Sequence, residues 1–183
     1  MRVISGMARG HKLLAPEGMD TRPTTDRIKE TLFNIIAPDI PEAKFLDLFS
    51  GSGAIGIEAL SRYADKCVFV DESLKCKEII EHNLKHTKLI DKAEIYCVDA
   101  ISAINMLSSK GEKFDIIFMD PPYNLGFYEP VLKALKNADI LNKEGYIIAE
   151  RSPTNPLPQI DGIEILREKE YKTTVMTFMA LED

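Results

Sequence analysis

From residue 44 onward, short β-branched runs alternate with amphipathic stretches, and no other feature of the chain so narrows the folds open to it. A run, a helical stretch and a further run make a βαβ unit, and repeated units build a mostly parallel sheet with helices on its faces. The runs predict strands at 44–49, 67–70, 94–98, 114–119 and 146–150. Helices are expected at about 53–62 and from about residue 73, where Cys76, Ile79, Ile80 and Leu84 share one face. The end of the chain departs from the pattern. Residues 163–170 and 173–181 are consecutive strand-like runs with no helix between them, so they predict a hairpin. One antiparallel strand then joins an otherwise parallel sheet.

The residues before 44 are of another kind. Segments 2–5 and 11–15 predict a small hairpin around Gly6 and Gly10. A helix follows, capped by Thr25 and ended by Pro38, with Ile28, Leu32, Ile35 and Ile36 on its apolar face. This stretch is too short to be a domain, and 183 residues with 45% hydrophobic content suit one compact unit. The expected organisation is a single domain over 1–183, in which an extension at 1–43 packs on a core at 44–183.

A formal net charge of -6 argues against coating nucleic acid through bulk charge. Basic residues nevertheless gather early, where Arg2, Arg9, Lys12, Arg22, Arg27 and Lys29 stand against Glu17, Asp20 and Asp26. Such an arm can contact phosphate locally, or can simply be a solvated face. Cys67, Cys76 and Cys97 are odd in number and lack Cys-x-x-Cys spacing. They read as small buried side chains in a reducing compartment, and neither a disulfide nor a metal site is expected. The N-terminus lacks a signal-like apolar stretch and no run approaches the length of a membrane span, so the expected location is the cytoplasm.

Directly after the first predicted strand comes Asp47-Leu48-Phe49-Ser50-Gly51-Ser52-Gly53-Ala54-Ile55-Gly56, a G-x-G-x-x-G at a strand-to-helix turn. Glycines there let the backbone approach a nucleotide-like ligand and let the next helix pack tightly on the sheet. Asp71 lies 20 residues beyond Gly51, at the end of the second strand, where a carboxylate can accept from both ribose hydroxyls. A nucleoside cofactor is therefore expected against Phe49, Ser50, Gly51, Gly53 and Asp71. The pattern alone does not separate a dinucleotide from S-adenosylmethionine. Asp47 tilts the choice, because a carboxylate just ahead of the glycines repels a pyrophosphate yet pairs with the ammonium of a methionine moiety. Asp99, followed by Ala100 at the end of the third strand, suits two roles equally: acceptor for an adenine amino group, or helix N-cap.

The fourth predicted strand ends in Asp120-Pro121-Pro122-Tyr123, at the carboxyl edge where ligands bind in open α/β sheets. Two prolines remove two backbone donors, so the segment can continue neither a ladder nor a helix, and it presents carbonyls outward. An amino group on an aromatic base needs two acceptors to hold its hydrogens and to draw its nitrogen lone pair out of conjugation. The Asp120 carboxylate and the Pro121 carbonyl offer that pair. Tyr123 offers a ring for a base removed from its stack, a contact worth roughly 1 to 3 kcal/mol. Methyl transfer would then be a direct displacement in which the protein fixes distance and angle.

Together these features resemble the class I methyltransferases that modify amino groups of bases or of protein glutamine. The arm narrows the likeness. Met1-Arg2-Val3-Ile4-Ser5-Gly6, Arg9-Gly10, Thr21-Arg22-Pro23-Thr24, Asp26-Arg27 and Lys29-Glu30-Thr31-Leu32-Phe33-Asn34 are similar to the opening of the RsmD family, 16S ribosomal RNA methyltransferases acting on the guanine 2-amino group. The likeness runs over essentially the whole chain. It implies a Rossmann-like seven-strand α/β sheet with a reversed last strand, S-adenosylmethionine as cofactor, and a monomer. It also implies that the substrate is a small-subunit assembly intermediate and not free RNA. Arg2, Arg9, Arg22, Thr24 and Arg27 are the expected RNA contacts. Arg22, Thr24 and Arg27 stand near the start of a helix, where free amides favour an anion, although salt bridging to the acidic body suits each equally well. His11 and Lys29 occupy positions where arginines are expected.

Other functions stay open: methylation of an adenine amino group or a protein glutamine, a non-enzymatic dinucleotide or redox module, and an RNA-binding protein of the same fold without activity.

Overall fold

Alternation along the strands sorts the hydrophobic residues onto two faces of one sheet, and a computed structural model describes this arrangement for residues 1–16, 26–122 and 125–182. The strands are β1 (Lys44–Leu48), β2 (Lys66–Val70), β3 (Ala93–Tyr96), β4 (Phe114–Met119), β5 (Leu141–Arg151), β6 (Ile163–Glu170) and β7 (Val175–Leu181). The helices are α1 (Asp26–Ile35), α2 (Ala54–Ser61), α3 (Leu74–Thr87), α4 (Ala100–Ser109) and α5 (Tyr128–Ala138). The sheet has seven strands in the order β3-β2-β1-β4-β5-β7-β6. The first five are mutually parallel, and β7 runs antiparallel to both β5 and β6. This is the expected Rossmann-like α/β sheet with its last strand reversed.

Phe45, Cys67, Phe69, Ile116, Phe118 and Ile148 pack with α1, α2 and α3 on one face. Their strand neighbours Leu46, Leu48, Val68, Val70, Ile117, Met119 and Ile147 pack with α4 and α5 on the other. Side chains two residues apart on a strand share a face. The sheet is therefore a two-sided hydrophobic partition with a polar carboxyl edge.

Several predicted boundaries move. β5 begins five residues before the expected 146, because Leu141 pairs with Phe114 across a bulge that carries the polar Asn142-Lys143-Glu144 stretch. The N-terminal hairpin reduces to a single antiparallel bridge, Arg2 with Lys12, supported by the Val3 amide donating to the His11 carbonyl at 3.0 Å. On α1 the buried residues are Lys29, Leu32 and Phe33, with Ile36 just beyond the helix, while Ile28 and Ile35 are only half-buried. The apolar face is thus turned by one position from the expected one, and a lysine sits in it. The predicted cap Thr25 lies outside the described residues. Cys67 and Cys76 are buried, whereas Cys97 is half-buried, so only two of the three cysteines behave as core side chains.

Candidate active site

The carboxyl ends of β2, β1, β4 and β5 stand level with one another. Leu48 pairs with Val70 on one side and with Met119 on the other, and Met119 pairs with Ala149. The next residues along, Asp71, Phe49, Asp120 and Glu150, therefore form a row across the edge. Asp71, Asp120 and Glu150 follow Phe69, Phe118 and Ile148 by two positions, and Asp47 follows Phe45 by two. The pleat directs all four carboxylates onto the face that α1, α2 and α3 cover.

The glycine turn joins this row through hydrogen bonds. Asp71 accepts the Gly51 amide at 2.9 Å through one oxygen and the Ser73 amide at 2.9 Å through the other. The Ser50 hydroxyl donates to the Asp47 carbonyl at 2.6 Å and accepts the Val70 amide at 2.9 Å, so it ties β1 to β2. Gly53 is the N-cap of α2 in a left-handed conformation and brings no capping side chain. Asp47 takes that part from the strand, its carboxylate accepting the Gly56 amide at 3.0 Å. Gly56 has its own reason to be glycine: a Cβ there would stand 2.3 Å from the Phe69 ring and 2.6 Å from the Cys67 sulfur, so α2 rests directly on β2. Gly51 is the opposite case, since a Cβ there would meet nothing within 4 Å. Open space beside the turn is what a bound nucleoside requires.

Crowding of carboxylates changes their acidity. Burial pushes the Asp47 carboxyl up from 3.8 to about 7, the Gly56 amide opposing the shift and the Asp71 charge adding to it. Asp120 is raised well above its ordinary value, first by burial, then by the charges of Glu150 and Asp47. Asp120 and Asp47 thus lie within electrostatic reach of each other, as the pairing of β1 with β4 requires, and the proline segment and the glycine turn leave the same stretch of sheet edge. A cation placed among these groups would relieve the repulsion.

Phe49 has a φ of 62°, a left-handed backbone that a phenylalanine seldom adopts. The twist carries its ring off the carboxylate face to the Phe127 ring, 5.7 Å away between centroids, so the turn touches the segment that follows Asp120. Pro121 is buried and Pro122 exposed. Tyr123, Arg22 and Thr24 lie outside the described residues. Asp99 is the N-cap of α4, one oxygen accepting the Ser102 amide at 2.9 Å and the other the Ser102 hydroxyl at 2.6 Å; Ala100, the first helical residue, is buried. Of the two roles open to Asp99, capping is thus visible in its hydrogen bonds.

Of the expected RNA contacts, Arg9 and Arg27 are exposed, and Arg2 is ion-paired with Asp26 at 3.2 Å while remaining accessible. Lys29 is buried against Glu58 at 3.3 Å and donates to the Arg2 carbonyl at 2.5 Å, so it is an internal strut and not a surface cation. Glu150 is a candidate site residue that the motifs do not single out. It lies one residue before the end of β5 and level with Asp71 and Asp120, which stand just past the ends of β2 and β4.

The fold and this edge define a Rossmann-like methyltransferase of class I. A model of the family described as Conserved hypothetical protein 95 matches residues 1–180. Ribosomal RNA small subunit methyltransferase D of Escherichia coli (strain K12) is 37% identical over 160 residues, which cover 87% of this chain and 79% of that protein. The protein of the same name from Haemophilus influenzae is 33% identical over 170 residues, covering 92% and 88%. The solved structure of yhhF from Escherichia coli superposes with a TM-score of 0.87 at 34% identity, covering 100% of this chain and 98% of that one. The chain belongs to the RsmD family of methyltransferases.

Proposed function

We propose that this chain uses S-adenosylmethionine to methylate the exocyclic 2-amino group of a guanine in small-subunit (16S) ribosomal RNA. The observation that carries the reading is that one sheet edge brings Asp47, which caps the helix after the glycine turn, into electrostatic contact with Asp120, which opens the Asp-Pro-Pro segment. Its relatives in Escherichia coli and Haemophilus influenzae are named for methylation of small-subunit ribosomal RNA, which supports a ribosomal substrate.

Each site residue then has a task. Gly51 leaves room for the nucleoside, Gly53 supplies the left-handed backbone that starts α2 and lets it close on Ile80 and Phe69, and Phe49, Ser50 and Ala100 shape the walls around the nucleoside. Asp71 has both oxygens engaged by backbone amides and uses its remaining lone pairs for ribose hydroxyls. Asp99, exposed at the mouth, uses its remaining lone pairs for the adenine amino group. Asp47 accepts from the methionine ammonium. When bound, S-adenosylmethionine supplies an electrophilic methyl carbon activated by a sulfonium.

The chain's own contribution to methyl transfer lies in Asp120 and its prolines. The Asp120 carboxylate and the Pro121 carbonyl accept the two hydrogens of the amino group, which draws the nitrogen lone pair out of conjugation with the ring. As the nitrogen gains its fourth bond it becomes acidic, and an Asp120 oxygen with raised proton affinity accepts the proton. Tyr123 offers a stacking surface for the flipped base. Arg2, Arg9, Arg22, Thr24 and Arg27 hold the RNA backbone, and the small-subunit particle, not free RNA, is the substrate of a monomeric, cytoplasmic enzyme that uses no metal. The 1–43 extension and the 44–183 core act as one domain.

The test is to incubate the full chain and methyl-labelled S-adenosylmethionine with small ribosomal subunits from cells lacking the activity, and then to identify the labelled nucleoside. N2-methylguanosine in 16S RNA is expected. Label in N6-methyladenosine, in a protein amide, or nowhere overturns the assignment.

A further inference from the structure

Asn83 lies in the middle of α3, wholly buried, and is not one of the residues the motifs single out. Its amide spans two parts of the protein. The side-chain oxygen accepts the Leu14 amide at 2.9 Å, and the side-chain nitrogen donates to the Leu14 carbonyl at 3.0 Å. The same nitrogen donates to the Ser52 carbonyl at 2.9 Å. Leu14 belongs to the arm, two residues before Pro16 and the stretch that contains Arg22 and Thr24. Ser52 stands between Gly51 and Gly53. One buried amide thus holds the backbone of the RNA arm and the backbone of the cofactor turn at once, with three of its four hydrogen-bonding positions engaged.

A turn built on glycines has little stiffness of its own. Gly51 is held from one side by Asp71. Asn83 holds the Ser52–Gly53 peptide through its carbonyl, and this second grip depends on where Leu14 lies. Resting on the methyl-transfer reading above, we propose that Asn83 is a positioning residue that couples the arm to the cofactor turn, so that RNA engaged by the arm and S-adenosylmethionine held at the turn strengthen each other's binding. Such coupling is reciprocal by thermodynamic necessity. The arm has independent anchors on α2, since Glu58 accepts the Ile4 and Ser5 amides at 2.8 and 3.0 Å and the Ser61 hydroxyl accepts the Ala8 amide at 2.9 Å. Loss of Asn83 therefore relaxes the link at Leu14 and Ser52 and leaves the arm docked.

The experiment measures the dissociation constant of S-adenosylhomocysteine for the full chain, alone and with saturating unmethylated small ribosomal subunits. In the unsubstituted protein the subunits are expected to tighten binding by at least about fivefold, the low end of ordinary coupling. In Asn83→Ala the ratio is expected to fall toward one, while binding in the absence of subunits weakens far less than the ratio does. Asn83→Asp keeps the acceptor for the Leu14 amide and loses both donations, so it gives the same readout should the alanine variant fail to fold. A ratio of one in the unsubstituted protein, or an unchanged ratio in a folded variant, overturns the coupling. Failure of the unsubstituted protein to bind the nucleoside at all instead sinks the methyl-transfer reading.

Discussion

The Asp47 carboxylate accepts the Gly56 amide at 3.0 Å, so the helix after the glycine turn is capped from within the sheet and not by its own N-cap residue. Gly53 is required at the cap by its left-handed backbone and can bring no oxygen, whereas a neighbouring strand can. The consequence is a buried carboxylate beneath the turn, with Asp71 and Asp120 nearby.

That carboxylate makes the free protein less stable as pH rises. Asp47 ionises near 3.8 in the unfolded chain and near 7 in the fold. Between those values the native state holds a proton that the unfolded state has lost, so stability is greatest at the acid end of the window and falls as pH climbs toward 7. At about 1.4 kcal/mol per unit the loss from Asp47 alone approaches about 4 kcal/mol. Asp120 shifts in the same direction and adds to the slope. Urea unfolding between pH 5 and pH 8 is expected to show the decline, and Asp47→Asn to flatten it. A stability that rises across that range in the unsubstituted protein contradicts the arrangement.

A cation entering the site reverses the effect. S-adenosylmethionine carries an ammonium and a sulfonium, and both favour ionised carboxylates at Asp47 and Asp120. Near pH 7 its binding is expected to release protons, with Asp47 among the groups that lose one. Calorimetry in buffers of different ionisation enthalpy reads this release directly. S-adenosylhomocysteine lacks the sulfonium and is expected to release fewer protons. Equal release by the two ligands would mean that the sulfonium does not sit among these carboxylates.

In the proposed mechanism Asp120 acts on the incoming amine and not on the nucleoside, so its replacement is expected to separate chemistry from binding. Asp120→Asn keeps one acceptor, supplies an unwanted donor and cannot take up the proton. A fall in kcat of about 10² to 10⁴ is expected, with the affinity for S-adenosylmethionine changed little. Single-turnover methylation and equilibrium binding measure the two separately. A variant that loses binding and keeps its kcat would place Asp120 in the cofactor pocket instead.

The candidate catalytic edge was more legible in the sequence than the frame behind it, for a physical reason. Strand ends announce themselves: β4 runs from Phe114 to Met119 as expected because an apolar run stops at an acidic residue and two prolines. Asp71 and Asp120 follow from the same rule; Asp47 lies inside β1 and stands out only by the glycines after it, and Glu150, one residue short of the end of β5, does not stand out. Glu58 and Asn83 did not stand out, and Lys29 counted only as one of the basic residues of the arm, because a polar residue on a helix reads as solvent-facing until its partner is known. Their partners lie 54 to 69 residues away at Ile4 and Leu14, or on another helix, and no local spacing encodes such a meeting. The bulge in β5 is hidden likewise, since Asn142 looks like part of a turn until its side chain is seen donating to Asp115 at 2.7 Å.

The buried ion pair at the root of the arm offers the sharpest test of that frame. Glu58 accepts from the Ile4 and Ser5 amides and from Arg62 at 2.8 Å, and it is paired with Lys29, whose ammonium burial pushes down and the Glu58 charge holds up. Removing one partner of such a pair strands the other charge in the core, at a cost of about 3 to 5 kcal/mol. Glu58→Gln is therefore expected to destabilise strongly, since a neutral amide leaves Lys29 without its counter-charge. Lys29→Met is expected to cost less, because Arg62 still neutralises Glu58 and methionine fills the space beside Leu32 and Phe33. Combining the two changes is expected to cost less than the sum of the singles, which a double-mutant cycle by urea unfolding measures. Strict additivity would show that the Lys29 and Glu58 charges do not interact, and that the arm is held by its backbone bonds alone.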